Sequence, residues 1–164
     1  MIPVPQYPLY SALISGKGGT QVNYYPDEDK DWTFSCEHLE QVYAEASDRG
    51  IDVKAIVAIN PANPTGAILD RESVEAVINF ADEFDLIVIA DEVYQENTYG
   101  EKFYSFSSQL GHRDIPVFSL HSISKGFVGE CGHRGGFVEL RNAPDINNEG
   151  INLKDVFLKN ASVY

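Results

Sequence analysis

The sequence predicts an α/β fold: a mostly parallel sheet with flanking helices. Three apolar-rich runs, residues 54–59, 86–90 and 117–120, alternate with stretches of helical periodicity. Each run is followed by a polar cluster: 60–66, 91–94 and 122–125. In open α/β sheets the carboxyl ends of the strands form the ligand-binding edge, so these clusters are expected to converge although they lie far apart in sequence.

The elements follow in order. The first residues, with Pro3, Pro5 and Pro8, read as an entry loop. A short helix is expected over 9–15, closed by Gly16-Lys17-Gly18-Gly19, and then a strand over 21–25. Ser35 is placed to cap a helix running to Arg49, with Gly50 at the C-cap position. Leu39, Val42, Tyr43 and Ala46 recur at helical spacing and supply its buried stripe. The strand over 54–59 ends in a loop rich in Asn and Pro. Asp70 can cap a helix over 71–84 with Val74, Val77, Ile78 and Ala81 on one face. The run 86–90 is continuously apolar, as in a parallel strand covered on both faces. Further strands are expected at 117–120 and 136–140, and a helix over 153–164. No repeat, low-complexity tract or linker divides the chain.

With 164 residues, the chain can build one domain with a real core. Hydrophobic residues make up 43% and charged residues 23%, a soluble globular mix. A net charge of −13 argues against nucleic acid or an anionic membrane surface as partner. Cys36 and Cys131 form no metal-ligand spacing and read as free thiols. The apolar runs are too short to span a bilayer, and the first residues lack the features of a signal peptide. The cytoplasm is the expected location, with mitochondrion and peroxisome as the alternatives if a terminal signal is missing. Neither of the two glycine-rich nucleotide-binding patterns occurs.

The polar clusters carry specific chemistry. Lys125, in Ser122-Ile123-Ser124-Lys125, offers an amine. A lysine that attacks an aldehyde must lose its proton, which desolvation and a neighbouring cation such as Arg134 favour. Asp91 follows a buried strand, where a carboxylate is costly unless paired; a protonated pyridine nitrogen is a suitable partner. Glu92 reads as peripheral. Asn63 and Tyr94 can hydrogen-bond a phenolic oxygen, although Asn63-Pro64-Thr65-Gly66 is also a favourable turn. Ser122 and Arg134 suit a phosphate dianion as hydroxyl donor and forked guanidinium. Tyr7 reads equally as a ring-stacking aromatic and as a half-buried structural residue. Together these groups match the needs of pyridoxal 5'-phosphate.

Three phrases strengthen that reading: Pro5-Gln6-Tyr7-Pro8-Leu9-Tyr10-Ser11-Ala12, Ile59-Asn60-Pro61-Ala62-Asn63-Pro64-Thr65-Gly66, and Gly129-Glu130-Cys131-Gly132-His133-Arg134-Gly135-Gly136. They resemble the fold-type I pyridoxal phosphate aminotransferases, and among these the alanine aminotransferases. The resemblance implies that Lys125 holds the cofactor and shuttles a proton at the substrate Cα. It implies that Asp91 pairs with the pyridine nitrogen, that Asn63 and Tyr94 bond the phenolic oxygen, and that Ser122 and Arg134 bind the phosphate. Tyr7 would be the ring-stacking aromatic. The implied reaction moves the amino group of L-alanine to 2-oxoglutarate, with amino acid and 2-oxo acid as partners and a homodimer as the full-length assembly.

The family enzymes are much longer. Residues 1–164 resemble the central part of their large domain, so a partial large domain is expected, without the small domain and the N-terminal segment. A glyoxylate-using aminotransferase, a carbon–sulfur lyase of the same fold and an inactive truncated chain that pairs with a complete subunit are the alternative readings.

Overall fold

The computed structural model describes residues 1–145 and 150–161. Its centre is a four-stranded sheet in the order β3 (Ala55–Ile59), β4 (Ile87–Asp91), β5 (Val117–Ser122) and β6 (Gly136–Arg141). The first three strands are parallel, and β6 pairs antiparallel with β5. The mostly parallel α/β architecture expected from the sequence is therefore present, with one antiparallel edge. Gly136 begins that edge in a close approach, because a Cβ there would stand 2.5 Å from the His121 carbonyl oxygen.

One face of the sheet is covered by α2 (Cys36–Asp48) and α3 (Arg71–Glu83). Both helices start where a side chain satisfies a free backbone N–H: Ser35 Oγ accepts from His38 N, and Asp70 Oδ1 accepts from Ser73 N at 2.8 Å. Gly50, with φ of 74°, follows the α2 C-cap residue Arg49, where a left-handed conformation is required. The expected stripes point inward. Leu39 and Ala46 of α2 and Val74, Val77, Ile78 and Ala81 of α3 are buried, with Val42 and Tyr43 packed against them. They meet Ile56, Ala58, Val88, Ala90 and Val117 of the sheet. Phe80 adds an aromatic cluster, its ring 6.0 Å from Tyr43 and 5.1 Å from Phe84.

The other face carries a smaller cluster. Helix α1 (Leu9–Gly16) lays Tyr10 and Ile14 on Ile2, Val57, Ile59 and Ile89. Ile2–Pro3, expected as loop, is the short strand β1. It pairs in parallel with β2 (Asn23–Tyr24), the remnant of the longer strand expected over 21–25. Backbone pairing made with a distant segment leaves no local periodicity, which is why β1 was unreadable. Tyr24 fastens this ribbon to the main sheet by donating its hydroxyl to the Val57 carbonyl at 2.8 Å.

Other elements differ in extent or were not expected. Strand β5 continues two residues beyond the apolar run to Ser122, because Phe137 and Gly136 pair with His121 and Ser122. A short helix α4 (Phe106–Gln109) and a 3₁₀ turn at Glu28–Lys30 add to the plan. The last helix, α5, covers Leu153–Ala161; residues 162–164, included in the expected helix, lie outside the described residues. Both cysteines are free. Among the described residues no helix is long and apolar enough to cross a membrane.

Phe80 has no exposed surface and centres the α2–α3–sheet packing. Truncating Phe80→Ala is expected to cost about 3–5 kcal/mol of stability, read as a lower urea midpoint with unchanged slope.

Candidate active site

The sheet aligns the three polar clusters. Ile59, Asp91 and Leu120 are register partners across β3, β4 and β5, so the residues after them leave one edge together. The loop 60–69 follows β3, the loop 92–104 follows β4, and the segment 123–135 joins β5 to β6.

Strand alternation then sorts two adjacent carboxylates. Successive side chains point to opposite faces. Asp91 shares its face with Ile89, beside α1. Glu92 shares its face with Val88 and Ala90, towards α3 and α4. Asp91 is 9% exposed. Its Oδ2 accepts the Tyr10 hydroxyl at 2.7 Å, and its Oδ1 has only a long contact, 3.4 Å, from Val93 N. Burial, followed by the charge and the hydrogen bond of Asp91, raises the Tyr10 phenol well above its ordinary pKa, so Tyr10 is the donor in this pair. One carboxylate oxygen is thereby fixed and the other is left able to accept.

Glu92, expected to be peripheral, is fully buried. Its Oε1 accepts from Phe106 N at 2.8 Å and its Oε2 from Ser105 Oγ at 3.1 Å, at the start of α4. His121 Nε2 stands 3.8 Å away, with its ring stacked on Phe137 at 4.5 Å. Desolvation raises the Glu92 pKa against the hydrogen bonds it accepts, and lowers that of His121.

The remaining candidates are more open. Lys125 is exposed, and its Nζ lies over the Tyr94 ring, 5.5 Å from the centroid. Asn63 and Tyr94 are half-buried on opposing walls of a cleft between the first two loops. Among the described residues, neither the Asn63 amide nor the Tyr94 hydroxyl has a hydrogen-bond partner. Gly66, with φ of 76°, makes the turn that folds the first loop back. Ser122 Oγ accepts from Ser124 N at 3.1 Å, and Arg134 Nη1 reaches Ser124 Oγ at 3.5 Å and the Cys131 carbonyl at 3.0 Å. Arg134 adopts φ of 51°, uncommon for a residue with a Cβ. Tyr7 is 48% exposed in the turn before α1, where its carbonyl accepts from Tyr10 N; no ring contact reaches it among the described residues.

The structure thus joins Lys125 to Tyr94, and Ser122 to Arg134 through Ser124. Asp91 sits at the same sheet edge with a residue not singled out from sequence, Tyr10. An exposed amine, a buried carboxylate with a spare acceptor, unengaged amide and hydroxyl donors, and a guanidinium beside the Ser124 hydroxyl, with Ser122 joined through Ser124, are the complementary groups for an aldehyde, a pyridine nitrogen, a phenolate and a phosphate. The donor set fits pyridoxal phosphate.

Comparison with known proteins bears on that fit. The pattern of the family described as "Aminotransferase class I and II" matches residues 1–156. The chain belongs to this family. Its members work with pyridoxal phosphate. A probable mitochondrial alanine aminotransferase of Dictyostelium discoideum is 46% identical over 148 residues, covering 85% of this chain and 28% of the relative. Glutamate–glyoxylate aminotransferase 1 of Arabidopsis thaliana is 43% identical over 152 residues, covering 88% of this chain and 32% of the relative. The solved alanine aminotransferase of Pyrococcus furiosus superposes with a TM-score of 0.80 at 31% identity, covering 99% of this chain and 38% of that one. The chain spans about three-tenths of the length of the curated relatives it matches.

Tyr10 and Glu92 organise this sheet edge although the sequence does not single them out. For Glu92 the signal existed: period-two alternation from Val88 and Ala90 puts it on the buried face. Tyr10 had a weaker one, its i, i+4 partner Ile14 on the same helix stripe.

Burial of Glu92 has a pH signature. An acid whose folded pKa is raised binds more protons folded than unfolded. Its contribution to stability therefore falls as pH rises from the ordinary value of 4.5 through the folded one. Glu92→Gln can still accept from Phe106 N and can donate to Ser105 Oγ, without a charge. The stability of Glu92→Gln relative to wild type is expected to grow as pH rises above 4.5, measured by urea unfolding across pH.

Proposed function

We propose that this chain is the cofactor-binding part of a pyridoxal phosphate-dependent transaminase, residues 1–164 belonging to its large domain. The proposed reaction transfers the amino group of L-alanine to 2-oxoglutarate, giving pyruvate and L-glutamate. The observation that carries the reading is the convergence of an exposed amine, Lys125 over Tyr94, and a buried carboxylate, Asp91, at one carboxyl edge of a parallel sheet. The names of the relatives add the substrate class: alanine aminotransferases recur among them.

When bound, pyridoxal phosphate supplies an electron sink for the bond that breaks at the substrate Cα. The chain's own groups do the rest. Lys125 Nζ would hold the aldehyde carbon and, as a free amine, would move a proton at the substrate Cα. Asp91 pairs with the protonated pyridine nitrogen, while Tyr10 keeps its second oxygen occupied and its orientation fixed. Asn63 and Tyr94 donate to the phenolic oxygen. Ser122 and Arg134 hold the phosphate, and Tyr7 covers the ring. The full protein is read as a homodimer. Cytoplasm and mitochondrion both stand as locations, the second because the D. discoideum relative is named mitochondrial.

A second reading keeps the cofactor and changes the acceptor to glyoxylate, favoured by the 43% identity to glutamate–glyoxylate aminotransferase 1. Pyruvate formation from L-alanine separates the two. In the full-length protein that contains this chain, the expected result is faster pyruvate release with 2-oxoglutarate than with glyoxylate, and none with Lys125→Ala. Arg134→Ala is expected to weaken cofactor affinity about 10–100-fold, by loss of charge-assisted bonds, measured by fluorescence titration. A wild-type chain that takes up no pyridoxal phosphate would contradict the reading.

A further inference from the structure

The loops that carry Asn63 and Tyr94 face each other across an open cleft, with Pro64 and Ile68 on one wall and Tyr99 on the other. Within themselves they are held by local turns. Ala62 N bonds the Ala67 carbonyl and Gly66 N the Ala62 carbonyl in the first loop; Asn97 N bonds the Tyr94 carbonyl and Glu101 N the Thr98 carbonyl in the second. Among the described residues, a single side chain hydrogen-bonds to both loops. It is Asn60, the residue after β3, with no exposed surface.

Asn60 sits at the common root. Its backbone N–H donates to the Asp91 carbonyl at 2.9 Å, which ties it to the end of β4. Its Oδ1 accepts from Leu69 N at 2.9 Å and so closes the first loop. Its Nδ2 donates to the Tyr104 carbonyl at 3.3 Å and so reaches the far end of the second. The next two residues, Ser105 and Phe106, are held by Glu92, where that loop begins. Both ends of the second loop and the end of the first therefore meet within one buried polar cluster. The tie needs a donor and an acceptor on one short side chain. Aspartate offers only acceptors when ionised, and an aliphatic residue offers neither.

We propose that Asn60 is a positioning residue: by joining the two loops at their roots it sets the placement of Asn63 relative to Tyr94, and with it their joint hold on the phenolic oxygen of pyridoxal phosphate. This rests on the cofactor reading above. Asn60 touches no reacting atom in this role; it acts through the two residues it spaces.

The test combines amide hydrogen exchange of the full 164-residue chain with pyridoxal phosphate affinity by fluorescence titration. Asn60→Ala is expected to speed exchange in both 61–69 and 93–104. Asn60→Asp, which keeps the acceptor for Leu69, is expected to speed exchange chiefly in 93–104. Asn60→Ala is also expected to weaken affinity about tenfold, in keeping with the loss of a buried hydrogen bond. In a chain already carrying Asn63→Ala and Tyr94→Phe, the same substitution should weaken affinity no further, because nothing remains to be positioned. Unchanged exchange in both loops would overturn the proposal. So would an equal loss of affinity in the two backgrounds, which is the mark of a merely structural role. A wild-type chain that takes up no pyridoxal phosphate would overturn the cofactor reading and the positioning role with it. The exchange data would still report the tie, so the two failures are told apart.

Discussion

Two neighbouring carboxylates at the end of a buried strand set the terms for the rest of this structure. Asp91 and Glu92 both leave water, and neither can do so without partners. Strand alternation sends them to opposite faces, and each face answers differently. On Glu92's face the partners are structural: the start of α4 supplies a backbone N–H and a hydroxyl, and His121 lies close by. On Asp91's face a single phenol, from a helix packed across the sheet, takes one oxygen. The other oxygen is the acceptor around which the proposed cofactor site is built.

This division explains why elements far from the chemistry matter to it. Helix α1 has no proposed catalytic group, yet its packing on Ile2, Val57, Ile59 and Ile89 brings the Tyr10 hydroxyl to Asp91. Helix α4 is one turn long, yet its first N–H holds Glu92, from which the Tyr94 loop departs. The sheet is the shared frame. Its register places the ends of β3, β4 and β5 in one row, so residues separated by tens of positions in sequence face one cleft edge.

Much of this was legible before folding was considered. The three apolar runs, the caps at Ser35 and Asp70, and the stripes Val74–Val77–Ile78–Ala81 and Leu39–Ala46 depend on local periodicity, and they lie where that periodicity puts them. Lys125, Asp91, Asn63 and Tyr94 could be named because they sit in short phrases at strand ends. What was not legible depends on partners distant in sequence. Strand β1 exists through β2, β6 runs antiparallel because of how the 123–135 segment turns, and Asn60 reads as part of a turn until Leu69 and Tyr104 come to its side chain. Glu92 reads as peripheral from its motif alone, and only the alternation of β4 reveals that it points into the core.

In the proposed site one lysine, Lys125, set over Tyr94 at this sheet edge, is the cofactor amine. The most direct measurement is borohydride reduction after incubation with pyridoxal phosphate, followed by mass mapping of the labelled peptides. Lys125 should carry the label, and no other lysine. A label scattered over the surface lysines, such as Lys17, Lys30 and Lys102, or no label at all, would contradict it.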